Sequence, residues 1–473
     1  MDFKKLINTV GEKASSLTKG AVALVKGEKA EDGKKDSGHY LTGREIREIA
    51  AANKKVMLRL EKAKHRKAPE SEFVTEMKDD KNILEIEDLH TYFFTDQGVV
   101  KAVNGVSFNI PKNATVGVVG ESGCGKSVTS MSVMQLLQGP TGQIYSGSIR
   151  FKAMAYKEDE HGKPVPVYEK DEDGNVVMVE AKDKRGNVKV DAEGKPVMEP
   201  KQKTNSAGVL EYEMEEKVYD IAKMPIHEMH RIRGRQIAMI FQEPMTSLNP
   251  VFTIGEQLDE VVFIHTPGAT KEMAKARSLE MLNLVGIAAP ERVYAAFPHE
   301  LSGGMRQRVM ISMALACDPR LIIADEPTTA LDVTIQAQIL DLLRDLKDRI
   351  DGSIMLITHD LGIIAEMADY VVVMYAGRII EQGTVSEIFH NPMHPYTIGL
   401  QKSKPTMDSD SDTLFNIPGN VPNPVNMPNH CYFKERCSSC TAKCSGEYPC
   451  MVQVSPTHYV ACHLYGEEAK DGN

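Results

Sequence analysis

The sequence predicts an α/β fold with a mainly parallel central sheet, and two apolar runs carry this prediction. Val116–Val119 has the pattern of a short buried strand and leads into a glycine-rich loop, Gly120–Ser127. Leu321–Ala324 is a second such run, and it ends at the acidic pair Asp325 and Glu326. Strands that end at a glycine loop and at paired carboxylates, with helical patterns between them, are typical of parallel α/β proteins.

The glycine-rich loop predicts a phosphate-binding site, although a plain turn between strand and helix is the alternative for this pattern taken alone. Glycines let the backbone fold so that several N–H groups face one anion. A helix expected over 127–137 adds its positive N-terminal end. Lys126 is expected to reach the β- and γ-phosphates of ATP, and the Ser127 hydroxyl to bind Mg²⁺. The expected nucleotide contacts in the loop are Gly120, Ser122, Gly123, Gly125, Lys126, Ser127 and Val128.

The acidic pair predicts the hydrolytic part of the site. Asp325 stands at the end of its strand, where it can hold Mg²⁺ through water. Glu326 is the candidate general base for the attacking water, which requires it to lie within one hydrogen bond of that water. Taken alone, two acids that end a strand and cap the next turn would be the simpler interpretation. After a phosphate loop, the catalytic interpretation is favoured.

The motifs in this order resemble the nucleotide-binding domain of ATP-binding-cassette (ABC) transporters over about residues 82–402. The resemblance implies an ATPase in which Gln242 contacts Mg²⁺ or the water and His359 contacts the γ-phosphate. It also implies a second ATPase subunit, because one motif clamps the ATP of the opposite subunit and another lies at the dimer seam. The matching residues are Ser302, Gly303 and Gly304 for the clamping signature, and Ala330–Asp332 for the seam.

An aromatic residue near the start of such domains usually stacks on adenine, since every base offers a π-face. Its spacing from the strand expected at Leu84–Leu89 favours Phe93, and Tyr92 is the alternative. The resemblance further implies a RecA-like core, an antiparallel flank that includes Ile83–Leu89 and Val106–Ile110, and a helical subdomain between Gln242 and the signature.

A narrower resemblance is to the oligopeptide and dipeptide importer ATPases. It rests on Phe241–Pro250, Tyr375–Arg378, His394–Thr397, Ile417–Gly419 and the cysteine-rich tail. It implies two membrane permeases, a second ATPase that is often a different chain, and an extracytoplasmic peptide-binding protein. Cargo does not touch the ATPase, so a related nickel or glutathione importer stays open. A soluble non-transport ABC ATPase is an alternative, although such proteins usually carry two cassettes in one chain and this sequence has one. A non-enzymatic partner subunit is a further alternative, and the presence of Glu326 and His359 argues against it.

Composition limits the remaining function classes. The chain has 473 residues and a formal net charge of −10, which argues against nucleic acid as a partner. It has no run of about 18 unbroken apolar residues and no secretory signal pattern. We expect a peripheral protein at the cytoplasmic face of the cell membrane, held there by its permeases.

Six of the eight cysteines crowd into residues 431–462, which in a cytosolic chain favours a metal site over disulfides. The importer pattern maps onto Cys431, Cys437, Cys444 and Cys462, whose thiolates would suit an iron–sulfur cluster or tetrahedral zinc. The resemblance implies a [4Fe–4S] cluster, with Zn²⁺ as the alternative. Cys440 and Cys450 leave the ligand set open, and cysteines without any metal are the simplest alternative. Cys124 is interpreted as a neutral spacer rather than a redox switch.

Two segments fall outside the ABC core besides the C-terminal extension at 403–473. In the N-terminal extension, 1–81, residues 1–67 hold 17 Lys/Arg against 9 Asp/Glu. A capping box at Thr42–Glu45 predicts a helix to about Lys67, which could bind anionic lipid, dock on a partner or pack locally. A second helix is possible over 3–26. An insertion at about 153–218 repeats Asp-x-x-Gly at Asp159, Asp171, Asp183 and Asp191, which predicts consecutive β-hairpins.

Overall fold

The computed structural model describes residues 42–465 except 158, 162, 182–187, 192, 205–210, 244–246, 267, 330–332, 351 and 404–414. The chain divides into two compact units, residues 1–45 and residues 46–473. The helix expected over 3–26, the Asp183 turn and the seam motif Ala330–Asp332 lie outside the described residues. No helix in the described part of the chain is both long and apolar enough to cross a bilayer.

The described residues contain the following strands and α-helices. The strands are β1 (Val74–Thr75), β2 (Asn82–Phe94), β3 (Val99–Pro111), β4 (Thr115–Val119), β5 (Gly142–Tyr156), β6 (Met178–Glu180), β7 (Met198–Pro200), β8 (Met214–Asp220), β9 (Ile237–Ile240), β10 (Leu321–Asp325), β11 (Ser353–Ile357), β12 (Tyr370–Tyr375), β13 (Arg378–Thr384), β14 (Val452–Gln453) and β15 (Tyr459–Val460). The α-helices are α1 (Gly43–Lys64), α2 (Lys126–Val133), α3 (Ile254–His265), α4 (Lys271–Leu284), α5 (Pro290–Ala295), α6 (Gly303–Leu315), α7 (Val333–Ile350), α8 (Leu361–Met367), α9 (Val385–His390) and α10 (Pro395–Lys402).

The larger sheet forms the parallel core that the sequence predicts. Its parallel strands lie in the order β12–β4–β11–β10–β9. β4, β10 and β11 are buried along their whole length, which explains why they are mostly apolar runs rather than alternating patterns. Beyond β12 the sheet continues in antiparallel pairing through β13, β15 and β14.

A second sheet, in the order β1–β8–β5–β2–β3, is antiparallel throughout. It contains both strands expected for the antiparallel flank. The hydroxyl groups of Thr91 on β2 and Ser132 on α2 lie 2.8 Å apart and share a hydrogen bond. The flank is therefore joined directly to the helix that follows the phosphate loop.

The helix after the phosphate loop is shorter than predicted. It ends at Val133 instead of Leu137, and Gln135 has a φ of +48°. The Gln135 side-chain amide donates hydrogen bonds to the carbonyls of Ile221 and Met224, just after β8. A left-handed residue ends an α-helix, so this tertiary contact stops α2 early.

The helical subdomain expected between Gln242 and the signature consists of α3, α4 and α5. α3 opens with a capping box in which Thr253 and Glu256 each accept a hydrogen bond from the other's backbone. Leu258, Met281 and Val293 bring one buried side chain from each helix into the same apolar core. This core continues into α6 and under the parallel sheet.

The predicted helix of the N-terminal extension is confirmed as α1. In the first unit, Thr42 and Glu45 form the expected capping box, with hydrogen bonds of 2.8 and 3.3 Å between side chains and backbone N–H groups. In the second unit, the buried Asn53 amide of this helix donates to the carbonyls of Thr95 and Gly98 in the β2–β3 turn. These contacts support the local-packing alternative, and lipid binding stays a prediction.

The insertion between β5 and β8 contains the predicted hairpins. Asp159, Asp171 and Asp191 each begin a turn in which Oδ1 accepts two backbone N–H groups, at 2.8 to 3.1 Å. These Asp-centred hydrogen bonds fix the turns without help from a core. Between the turns, β6 pairs with β7 and Tyr168 bridges to Gln202.

Candidate functional site

Four predicted site segments meet at one edge of the parallel sheet. The phosphate loop follows β4, Gln242 follows β9, Glu326 follows β10 and His359 follows β11. Because these strands are parallel neighbours, their carboxyl ends lie side by side. The sheet topology therefore gathers residues that are far apart in the sequence.

Two glycines let the phosphate loop pass close to neighbouring backbone. Gly120 has a φ of +151°, and a Cβ there would lie 2.2 Å from the Met374 carbonyl. Gly125, with a φ of +101°, would bring a Cβ to 2.4 Å from the Ala102 carbonyl. Lys126 is buried, and its Nζ donates to the carbonyls of Gly120 at 2.7 Å and Glu121 at 3.2 Å. The ammonium thus lies inside the loop where a phosphate is expected.

Two oxygen-bearing side chains, Ser127 and Asp325, lie together beside the phosphate loop, and Mg²⁺ prefers oxygen ligands. The Ser127 hydroxyl donates to Asp325 Oδ1 at 3.0 Å. Burial, and to a smaller extent the neighbouring Glu326, raises the pKa of the Asp325 carboxyl, although Ser127 and Lys126 act in the opposite direction. A divalent cation would favour the charged carboxylate, so these two residues fit the predicted Mg²⁺ role.

Glu326 is the centre of the polar cluster. Its Oε2 accepts hydrogen bonds from Gln242 Nε2 and Thr329 Oγ1, both at 2.9 Å, and its Oε1 lies 3.3 Å from His359 Nδ1. The Glu326 backbone has a φ of +48°, and its N–H donates to the Ile357 carbonyl at 2.8 Å. Such strained backbone is kept where the surroundings require a side chain in one place. The Glu326 carboxylate is therefore held in one position by its backbone conformation and by its hydrogen bonds.

The two adenine candidates lie on opposite faces of β2. Residues two apart in a strand share a face, so Phe93 lies with Thr91 on the side of α2. Tyr92 lies on the other face, where its ring stacks on Tyr145 at 5.0 Å and its hydroxyl donates to Asn104. This placement favours Phe93, and stacking on adenine stays a prediction.

The signature residues form the N-terminus of α6. Ser302 caps the helix by accepting a hydrogen bond from the Met305 N–H at 3.3 Å. Ser302 and Gly303 are exposed, and a Cβ at Gly303 would meet nothing within 4 Å, whereas one at Gly304 would contact Ile335. The signature is thus open to another molecule, as the predicted contact with the opposite subunit's ATP requires.

Comparisons with known proteins agree with this geometry. A family model described as ABC transporter matches residues 103–222 and 201–329, and one described as Oligopeptide/dipeptide transporter, C-terminal region, matches residues 380–444. The oligopeptide transport ATP-binding protein AppD of Bacillus subtilis (strain 168) is 42% identical over 389 residues, which cover 82% of this chain and 98% of the relative. The chain belongs to this family of ABC transporter ATP-binding proteins.

Two further family members from the same organism show similar agreement. The oligopeptide transport ATP-binding protein OppD is 44% identical over 388 residues, covering 82% of this chain and 90% of the relative. The dipeptide transport ATP-binding protein DppD is 39% identical over 388 residues, with coverage of 82% and 96%. The chain is therefore an ABC ATPase subunit that binds ATP and hydrolyses it.

Two residues of this ABC ATPase site were missed by sequence reasoning. Thr329 donates to the Glu326 carboxylate, and its position three residues after Glu326 is the usual spacing of a local side-chain contact. Gln307, in the signature helix, is buried and donates to the Pro327 carbonyl. No sequence pattern indicates the second contact. It joins the signature helix to the loop that carries Glu326.

Cys124, in a variable position of the phosphate loop, behaves as a buried apolar residue. Its side chain is 1% exposed, and burial raises the pKa of its thiol. A reactive cysteine needs a lowered thiol pKa and access to solvent. The interpretation as a neutral spacer is therefore favoured over a redox switch.

The cysteine tail contains four neighbouring thiols but not a site for one ion. Burial is the main cause that raises the pKa of Cys431 and Cys462 to about 11, and nearby thiols of the predicted set add to it. Among the residues that the structure describes, no three His, Cys, Asp or Glu side chains could hold a metal ion. Tetrahedral zinc needs sulfurs about 3.8 Å apart, given its Zn–S distance. The [4Fe–4S] cluster and the Zn²⁺ alternative therefore both stay predictions.

Proposed function

We propose that this chain is the ATP-hydrolysing subunit of a membrane importer for oligopeptides or dipeptides. The similarity to oligopeptide and dipeptide transport ATP-binding proteins supports the importer assignment. For hydrolysis, the main support is the Glu326 carboxylate, which is held by Gln242 and Thr329 and faces His359. A general base must lie within one hydrogen bond of its water, and these contacts support that role because they hold the carboxylate in one position.

The chain's own side chains divide the chemistry among them. Lys126 and the N–H groups of the loop bind the triphosphate, while Phe93 stacks on adenine. Ser127, Asp325 and Gln242 would hold Mg²⁺, which would supply positive charge to offset that of the triphosphate. Glu326 accepts a proton from the attacking water. His359 is 61% exposed on its side chain, so it can turn from Glu326 towards a γ-phosphate.

ATP binding closes a pair of ATPase subunits in this proposal. The exposed Ser302 and Gly303 contact the triphosphate held by the opposite subunit, and Gly304 completes that turn. ATP then has a higher affinity for the closed pair than for separate subunits, and only this difference can drive a shape change. The second ATPase is, in our proposal, a different chain of the same family. Hydrolysis removes the bridging phosphate and lets the pair open.

The helical subdomain offers a surface for one of the two proposed transmembrane permeases. Its α3 helix and the loop before it expose apolar side chains: Val251 is 73% exposed, Phe252 49%, Phe263 42% and Ile264 67%. A groove of about 800 Å³ beside them is also lined by Glu256 and Lys275. A short cytoplasmic permease helix with one apolar face fits such a groove. This contact would hold the subunit at the cytoplasmic face of the membrane, beneath an extracytoplasmic peptide-binding protein.

Isolation of the native complex tests the transporter assignment. Two hydrophobic permease chains should co-purify with this chain, and the reconstituted complex should take up labelled peptide only with ATP. Nickel and glutathione serve as alternative cargo in the same assay. Uptake of one of them instead of peptide would change the cargo. Full ATPase activity without any permease partner would favour the soluble ATPase alternative.

For the tail we propose that Cys431, Cys437, Cys444 and Cys462 hold a [4Fe–4S] cluster. Support comes from the spacing of the four cysteines in the sequence and from their nearness in the fold, because the Cys437 and Cys444 thiols add to the burial that raises the pKa of Cys431 and Cys462. Cluster ligands bind different irons, so they do not converge on one point. Anaerobically purified protein should absorb near 400 nm and contain iron and sulfide, and Cys444→Ser should lower both while the exposed Cys450→Ser leaves them unchanged. Stoichiometric zinc in colourless protein would contradict this.

A further inference from the structure

An arginine of the cysteine tail is bonded to the phosphate loop. Arg436 ends a short 3₁₀ helix, Lys434–Arg436, which lies between Cys431 and Cys437. Its Nη1 and Nη2 donate to the two carboxylate oxygens of Glu121, at 2.7 and 2.9 Å. The Arg436 side chain is 4% exposed and that of Glu121 28%. Two parallel charge-assisted bonds give this pair both strength and a defined direction.

The guanidinium is itself immobilised on all sides. Its Nε donates to the Pro418 carbonyl at 3.0 Å, and Nη2 reaches the Ile417 carbonyl at 3.4 Å. The group also lies over the rings of Tyr375 and Phe433, at 5.8 and 5.9 Å from their centroids. An arginine held in this way is a fixed charge rather than a surface side chain, so it can define where Glu121 lies.

Glu121 is the second residue of the phosphate loop and is bound through every polar group. Its N–H donates to the buried Tyr396 hydroxyl at 2.8 Å, and its carbonyl accepts from Lys126 at 3.2 Å. Its N–H therefore faces the protein and not a phosphate. Without Arg436, the Glu121 carboxylate would leave an uncompensated negative charge beside a site built for a triphosphate.

We propose that Arg436 is a positioning residue for ATP: it holds Glu121 in place and cancels its charge, so the cysteine-bearing segment 431–444 supports the phosphate loop. The inference rests on the ATP-binding function described above. It assigns the tail a part in nucleotide affinity that does not depend on which group the cysteines hold. Arg436 is not among the residues proposed to contact the nucleotide, and in this proposal it acts through Glu121.

Nucleotide affinity of the full-length chain tests the proposal. In Arg436→Met the dissociation constant for Mg-ATP should rise by about 10- to 100-fold, because the partly buried Glu121 carboxylate loses its partner beside the triphosphate site. Arg436→Lys should lie between this variant and the wild type, since an ammonium cannot form the two-pronged pair. Adding Glu121→Gln to Arg436→Met should restore most of the affinity, because no unpaired charge then remains. Binding of adenosine, which has no phosphates, should stay within about twofold.

Lys434→Met is the matched control. Lys434 lies in the same 3₁₀ helix, and its ion pair is with the adjacent Glu435 at 3.6 Å. This variant should bind Mg-ATP like the wild type. Unchanged Mg-ATP affinity in Arg436→Met, failure of the double variant to recover, or an equal loss of adenosine binding would each overturn the proposal. If Arg436→Met does not fold, Arg436→Lys decides in the same way. A wild-type chain that did not bind Mg-ATP would instead contradict the ATP-binding function.

Discussion

Replacement of Glu326 by glutamine separates ATP hydrolysis from ATP binding. The Oε2 atom accepts both the Gln242 amide and the Thr329 hydroxyl, whereas Oε1 faces only His359 Nδ1. A glutamine can place its oxygen at the Oε2 position and its NH₂ towards His359 Nδ1, which accepts this hydrogen when the ring proton is on Nε2. All three contacts then survive, so the fold and the site geometry should change little, with a stability difference below about 1 kcal/mol.

What the Glu326→Gln variant loses is the ability to accept a proton. Removal of a general base lowers a rate by about 10²- to 10⁴-fold, which corresponds to about 3–5 kcal/mol of activation free energy. Phosphate release under saturating Mg-ATP should fall by this factor, while the dissociation constant for Mg-ATP, measured by calorimetry, should stay within about threefold. Wild-type turnover in this variant would refute the assignment of Glu326 as the base.

The control for Glu326→Gln is Glu366→Gln. Glu366 lies on α8, is exposed, and pairs with Arg344 at 3.0 Å on the surface. Exposed pairs of this kind contribute about 0–1 kcal/mol, so this variant should keep the wild-type rate. A matching loss in both variants would point to a general effect of added glutamine rather than to catalysis.

Three further outcomes are expected. Ser302→Ala should abolish ATP-dependent pairing of subunits in size-exclusion chromatography, whereas Thr270→Ala, which removes the equivalent 3.3 Å cap hydrogen bond from α4, should leave pairing intact; equal behaviour would contradict the role of the signature. Phe93→Ala should weaken Mg-ATP binding by about 5- to 150-fold, the value of one stacked base, and Tyr92→Ala by less; the reverse order would move the adenine site. Burial lowers the pKa of His394 from 6.5 to about 3. As the pH falls below 6.5, the imidazole therefore becomes protonated in the unfolded chain before it does so in the folded chain, and the stability present above pH 6.5 is lost. Between pH 7 and pH 5, the free energy of unfolding measured in urea should therefore fall by about 2 kcal/mol more in the wild type than in His394→Asn, which keeps the helix cap. Equal decreases would show that protonation of His394 does not cause the loss of stability.

The motifs were predictable because their chemistry is local. A glycine loop between strand and helix, and two acids at a strand end, have few structural solutions, so Lys126 and Asp325 lie where their spacing from apolar runs indicated. The capping box of α1 and the Asp-led turns of the insertion are likewise short-range hydrogen-bond patterns that the sequence shows directly.

Contacts between distant segments could not be predicted in this way. The end of α2 is set by Gln135 reaching carbonyls beyond β8, and Arg436 comes from a tail whose sequence indicates only a metal-binding segment. Neither periodicity nor composition predicts such pairs, because the local sequence around each partner contains no pattern that indicates the contact. A choice between adjacent residues, such as Tyr92 and Phe93, also needs the strand register.

The bond between Arg436 and Glu121 joins positions 315 residues apart, which affects the order in which a newly made chain becomes competent. At about 5–20 residues per second on the ribosome, the arginine is added roughly 15–60 s after the glutamate it must neutralise. Until then the phosphate loop carries a bare carboxylate. A product that stops short of the tail would contain every motif of an ATPase and still lack the charge balance of the finished one.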